Sequence, residues 1–159
     1  MMASKLRIYL AGPLFSPMER ERNRLLRNRL KTMADVYLPQ EDGRLIFDLI
    51  KARIPIECAK QQIFENDVAA ILACHALLII LDGRTVDEGA CFELGYAYCL
   101  GKVCIGLKTD VRSLLPFGDN PMVEGALQKI FHDEEALINW IRTLSQSDFV
   151  QPRELAMLR

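Results

Sequence analysis

The chain has 159 residues, half of them hydrophobic and 26% charged, with 20 Lys and Arg against 21 Asp and Glu for a formal charge of −1. That length fits one domain able to close a single core, so residues 1–159 are expected to form one unit with 145–159 as a C-terminal tail. The near-neutral balance argues against nucleic acid as the partner, because a phosphate backbone demands a basic surplus, and points to a small molecule instead.

Residues 6–11, Leu-Arg-Ile-Tyr-Leu-Ala, read as a strand stopped by Gly12-Pro13. Ser16-Pro17 is an N-cap followed by a first-turn proline, and Met18, Leu25, Leu26, Leu30 and Met33 carry a helix to about Ala34. Residues 35–39 read as a second strand, 40–44 as a loop and 45–51 as a short helix. The 3.6-residue period of Ile56, Ala59, Ile63, Phe64, Val68, Ile71 and Leu72 predicts a helix over 56–73. The unbroken apolar run 76–81 fits a central parallel strand covered on both faces. Asp87 is a candidate N-cap for a helix over 88–100 closed by Gly101, and 103–107 give another strand. An irregular stretch over 108–124, a strand within 126–131 and a helix over 133–144 complete the chain.

Strands alternating with helices predict a three-layer α/β domain around a mostly parallel sheet, in which ligands bind beyond the carboxyl ends of the strands. That rule directs attention to residues 12–16, 82–93 and 108–120. The five cysteines form no CxxC and the two histidines lie far apart, so neither a zinc site nor a disulfide frame is expected. Reduced thiols buried at Cys74, Cys91 and Cys104 agree with a cytoplasmic protein. The opening residues lack an apolar signal segment, and 76–81 is far shorter than the roughly 18 residues a membrane span needs, so no membrane partner is expected.

The richest segment is Asp87-Glu88-Gly89-Ala90-Cys91-Phe92-Glu93-Leu94-Gly95-Tyr96-Ala97. Glu93 has Gly89, Ala90 and Ala97 as its helix-face neighbours, which leave space beside it. The helix dipole favours its ionised form, as a carboxylate nucleophile requires. Asp87 approaches the same mouth from the loop side, and two carboxylates there suit retaining cleavage of a glycosidic bond. The same residues also fit an ordinary N-cap and a solvent-facing glutamate. Asp67 sits late in its helix, where a carboxylate opposes the dipole. Phe15 and Tyr9 suit either stacking on a base or sugar or packing in the core. Neither GxGxxG nor GxxxxGKS occurs, which argues against a dinucleotide or P-loop enzyme. The run Arg20, Arg22, Arg24, Arg27, Arg29 and Lys31 is interrupted by Glu19 and Glu21 and reads as a solvated face.

Residues 8–15 (Ile-Tyr-Leu-Ala-Gly-Pro-Leu-Phe), Glu65-Asn66-Asp67, the 87–97 block and Gly118-Asp119-Asn120 together resemble the nucleoside 2-deoxyribosyltransferase family over about residues 6–142. The resemblance implies a five-stranded parallel sheet between helices and exchange of the base of a 2′-deoxyribonucleoside with a free nucleobase. It implies Glu93 as nucleophile at C1′, with Asp87 and Asp67 holding the base and handling its proton, and Tyr9 positioning Glu93. It also implies Phe15, Gly12 and Gly89 at the substrate pocket, and Asn120 reaching the sugar hydroxyls across the interface of a homo-oligomer, at least a dimer. Neither a metal nor another cofactor is expected. A hydrolase acting on deoxynucleosides or their 5′-monophosphates with the same glutamate, and a non-catalytic nucleotide-binding domain, are the alternatives.

Overall fold

The computed structural model describes residues 5–144, so the expected tail at 145–159 lies outside the described residues. Its elements run β1 (Leu6–Ala11), α1 (Pro17–Leu30), β2 (Ala34–Tyr37), α2 (Pro39–Asp42), α3 (Ile46–Lys51), α4 (Ile56–Ala73), β3 (Ala76–Ile80), α5 (Glu88–Cys99), β4 (Val103–Leu107), α6 (Pro121–Ala126), β5 (Lys129–Phe131) and α7 (Glu134–Thr143). The five strands form one all-parallel sheet in the order β2-β1-β3-β4-β5. The chain reverses its direction of travel between β1 and β3, which is the switch point where α/β domains form a ligand crevice.

Strand β1 alternates its side chains between two cores. Ile8 and Leu10 join Leu26 and Leu30 of α1 and Leu137, Ile138 and Ile141 of α7, whereas Tyr9 and Ala11 join Ile71 of α4 and Ala90, Leu94 and Ala97 of α5. Strand β3 is buried at every position, as its apolar run predicts, and β4 is likewise buried throughout. Among the described residues no helix is long and apolar enough to cross a membrane.

Several boundaries differ from the sequence reading. Helix α1 ends at Leu30 instead of reaching Ala34, because Ala34 already pairs with Leu6 in the sheet. The second strand, expected over 35–39, runs Ala34–Tyr37, and Pro39 with the first residues of the expected 40–44 loop forms α2 instead: Pro39 occupies its first turn, and the Leu38 amide donates to Asp42 Oδ2 at 2.8 Å. Within 108–124 lies α6, begun by Asn120 and Pro121, the same cap-and-proline signature that opens α1, and the last strand shrinks to Lys129–Phe131.

The basic run on α1 is absorbed by ion pairs. Arg22 pairs with Asp82, Arg24 with Glu21 and Glu41, Arg27 with Glu41 and Asp42, and Arg29 with Glu134 and Glu135. All five cysteines are free thiols, but only Cys74 and Cys104 are buried; Cys91 is half-buried.

Candidate active site

The carboxyl ends of β1 and β3 open into a cleft of about 350 Å³ lined by Glu93, Asp87 and Asp67. Helix α5 places Glu93 at its second turn, directly over β1. The Tyr9 hydroxyl donates to Glu93 Oε1 at 2.6 Å, and the Tyr9 ring is fully buried in the sheet. Burial, followed by the neighbouring Glu93 and Asp67 charges, holds the Tyr9 phenol well above its ordinary range, so it remains a donor. Tyr9 is therefore a fixed strut that sets the orientation of the carboxylate.

The dipole argument expects an ionised Glu93, and the structure corrects it. Burial pushes its carboxyl up to about 8; the Tyr9 hydrogen bond opposes the rise, while Asp67 and Asp87 add to it. Glu93 lies beyond the first turn, where the dipole fades, so desolvation dominates. Its expected neighbours Gly89 and Ala90 line the cleft with it, whereas Ala97 is buried in the core.

Asp67 projects from α4 into the same cleft and accepts a hydrogen bond from the Tyr37 hydroxyl at 3.2 Å. Burial raises its carboxyl to about 6 against the pull of that bond. Two interacting carboxyls that titrate around neutrality can hold one proton between them. Asp87 combines both roles open to it: its Oδ1 accepts from the Ala90 amide at 2.9 Å as the α5 cap, and its side chain also faces the cleft.

The glycines at the site have steric reasons. A Cβ on Gly12 would sit 3.1 Å from Ile80 Cβ, so glycine lets the first loop press against the end of β3. One on Gly89 would approach Asp87 Oδ1 at 3.2 Å. The first loop is held from behind. Arg20 donates to the Leu14 and Phe15 carbonyls at 3.0 and 3.1 Å, and buried Asn23 donates to the Pro13 carbonyl at 2.9 Å. Phe15 is 76% exposed and lines the cleft, so it is no core residue.

Sequence reasoning missed several lining residues. Arg44, Leu45, Ile46 and Phe47 arrive from α3 and the segment before it, and Ile63 from α4. The available signal was the apolar run Leu45-Ile46-Phe47 opening the short helix expected over 45–51. The 108–120 segment, by contrast, contributes no lining residue to its own chain's cleft. Its polar groups are anchors: Asp119, buried, pairs with Lys108 at 2.6 Å, and the Thr109 and Asp110 amides donate to Asp82 Oδ1. Asn120 is exposed and accepts from the Met122 amide at 2.9 Å, away from the cleft. Among the described residues no three His, Cys, Asp or Glu side chains are arranged to share a metal ion.

Comparison with curated proteins gave no match. Among solved structures, a conserved protein from Enterococcus faecalis V583 is similar with a TM-score of 0.73 at 26% identity, covering 87% of this chain and 98% of that one. The 2-deoxyribosyltransferase of Bacillus psychrosaccharolyticus shares the fold with a TM-score of 0.67 at 22% identity, covering 90% of this chain and 95% of the other. The model of the nucleoside 2-deoxyribosyltransferases matches residues 8–150, a span that takes in Tyr9, Asp67, Asp87 and Glu93 together, and the chain belongs to that family.

Proposed function

We propose that this protein exchanges the base of 2′-deoxyribonucleosides through a covalent deoxyribosyl ester on Glu93, with retention at C1′. The observation that carries the reading is the Glu93 carboxyl, braced by Tyr9 at 2.6 Å, sharing one cleft with Asp67 and Asp87. Glu93 attacks C1′ as positive charge develops on the sugar, while Asp67 or Asp87 supplies the proton that the departing base takes up. A second base then enters and reverses both steps. The apolar wall of Leu14, Phe15, Leu45, Ile46 and Phe47 suits a planar base and lowers the water content around the ester.

The productive form needs an ionised Glu93 and a protonated Asp67. With the shifts described above this is the minor arrangement of a shared proton, so kcat/KM should follow a bell with limbs near 6 and 8. Asn120, exposed and outside its own cleft, is assigned to the sugar hydroxyls of a neighbouring subunit in a homo-oligomer of at least two chains. No step in this chemistry calls for a cofactor.

The test is chromatography of the protein with 2′-deoxyinosine and free adenine or cytosine, with a no-acceptor control and Glu93→Ala alongside. A new deoxynucleoside formed only by the wild type supports the proposal; hypoxanthine released equally with and without acceptor overturns transfer in favour of hydrolysis. One observation favours a 5′-monophosphate donor as a second reading: Arg44 lines the cleft and has no ion pair among the described residues. Parallel reactions on 2′-deoxyinosine and its monophosphate separate the two.

A further inference from the structure

We propose that Tyr37 is the positioning residue for Asp67, serving the departing base as Tyr9 serves the nucleophile. The inference rests on the transferase reading above and extends it to a residue outside the cleft. Tyr37 is the last residue of β2 and stands opposite Tyr9 in the parallel register of β1 and β2. The two rings stack with centroids 5.4 Å apart and planes 20° apart. Each phenol donates to a different carboxyl, Tyr9 to Glu93 and Tyr37 to Asp67. Asp67 lines the cleft and Tyr37 does not, so Tyr37 supports the acid from behind.

The bond selects which oxygen of Asp67 works. Because Oδ1 accepts from Tyr37, the proton of a neutral Asp67 is carried on Oδ2. As the C1′–N bond breaks, its electron pair goes to the base nitrogen, which takes the Oδ2 proton. A Glu93 oxygen meanwhile forms the bond to C1′. Glu93 changes from carboxylate to neutral ester and Asp67 from acid to carboxylate, so charge and protons balance. Tyr37 then stabilises the new Asp67 charge, an interaction stronger after proton transfer than before it.

Other groups share this environment. Tyr9 of β1 and Glu93 of α5 interact electrostatically with Asp67, Asp42 of α2 acts on Tyr37, and Asp87, Arg20 and Arg44 face the same cleft. Of these, the Tyr37 hydrogen bond is what lowers the Asp67 carboxyl against burial. Its loss should shift upward the acidic limb near 6, which Asp67 sets in this reversed protonation arrangement.

The decisive comparison uses two donors. 2′-Deoxyinosine must have its base protonated, whereas 7-methyl-2′-deoxyguanosine releases a neutral base without a proton. Tyr37→Phe keeps the ring stack and should lower kcat for 2′-deoxyinosine about tenfold, with less than about a twofold change for the methylated donor. The double variant Tyr37→Phe/Asp67→Asn should be no slower than Asp67→Asn alone, since both act through one proton. Circular dichroism and thermal melting confirm that each variant is folded; if Tyr37→Phe is not, Tyr37→Leu, which also lacks a donor, must show the same donor selectivity. Equal slowing of both donors, an unshifted pH limb, or additive losses would overturn the inference while leaving the transferase reading intact. A wild type that cleaves neither donor overturns both.

Discussion

The two faces of the sheet are built from the same strands and do different work. On the α1 and α7 side, Ile8, Leu10, Leu26, Leu30, Ile105 and Leu137 form a wholly apolar core rimmed by arginine–carboxylate pairs. On the α4 and α5 side the same β1 strand turns Tyr9 inward, and two phenol–carboxyl pairs replace aliphatic contacts. The first face can only stabilise. The second gives up stability by burying carboxyls that would be better hydrated in the unfolded chain, and it gains groups that titrate where the proposed chemistry needs them.

Substitutions on the second face should therefore change activity without unfolding the protein, and those on the first should do the reverse. The largest effect is expected for Glu93→Ala, which should lower turnover at least about a thousandfold with near-ultraviolet circular dichroism unchanged. A folded variant with near-normal turnover would remove Glu93 from the mechanism. On the opposite face, Leu26→Ala empties a fully buried site on α1 and should cost about 2–5 kcal/mol in urea unfolding while kcat stays within about twofold.

Glu93→Gln sharpens the contrast through pH. The folded Glu93 binds its proton more tightly than the unfolded chain does, since burial raises it to about 8 from the usual 4.5. The folded state therefore carries more protons between these values, and the wild type loses stability as pH rises through that window. The Gln variant lacks this loss, so it should be the more stable protein at pH 8 by about 1–3 kcal/mol, with the advantage shrinking towards pH 5. Denaturant titrations at the two pH values check the sign, and an advantage that grows on acidification would contradict it. The smallest effect is expected for Arg29→Ala. It removes the surface pairs to Glu134 and Glu135 and should move Tm by no more than about 1–2 °C.

The parts of the site that were legible in the sequence are those made by local spacing. Asp87 and Glu93 lie six residues apart on one helix start, with small residues on the shared face, and the structure brings both to the cleft. The alternation of apolar runs with helical periods likewise gave the three-layer architecture, and the helix at 56–73 matches residue for residue. What the sequence hid depends on partners far along the chain. Tyr37 gains its meaning from the register of β2 beside β1 and from a helix thirty residues on. Arg44 and Phe47 reach the cleft through the path of the chain after α2, which no local period encodes. The ionisation of Glu93 was misjudged for the same reason: a dipole can be read from a helix start, but burial is set by everything packed around it.

Under the proposed mechanism, the parallel alignment of Tyr9 with Tyr37 also makes activity a measure of correct folding. Strand β2 is four residues long and lies at the edge of the sheet, where among the described residues no further strand fixes its pairing. A slip of one residue would keep the hydrogen-bonded ladder but turn Tyr37 to the α1 and α7 side and present Val36 or Leu38 behind Asp67. Such a molecule would retain its sheet and most of its core, and ordinary spectroscopy would score it as native. Specific activity per folded molecule after refolding would expose it, because only the chain that has chosen the right neighbour for each tyrosine holds both carboxyls in place.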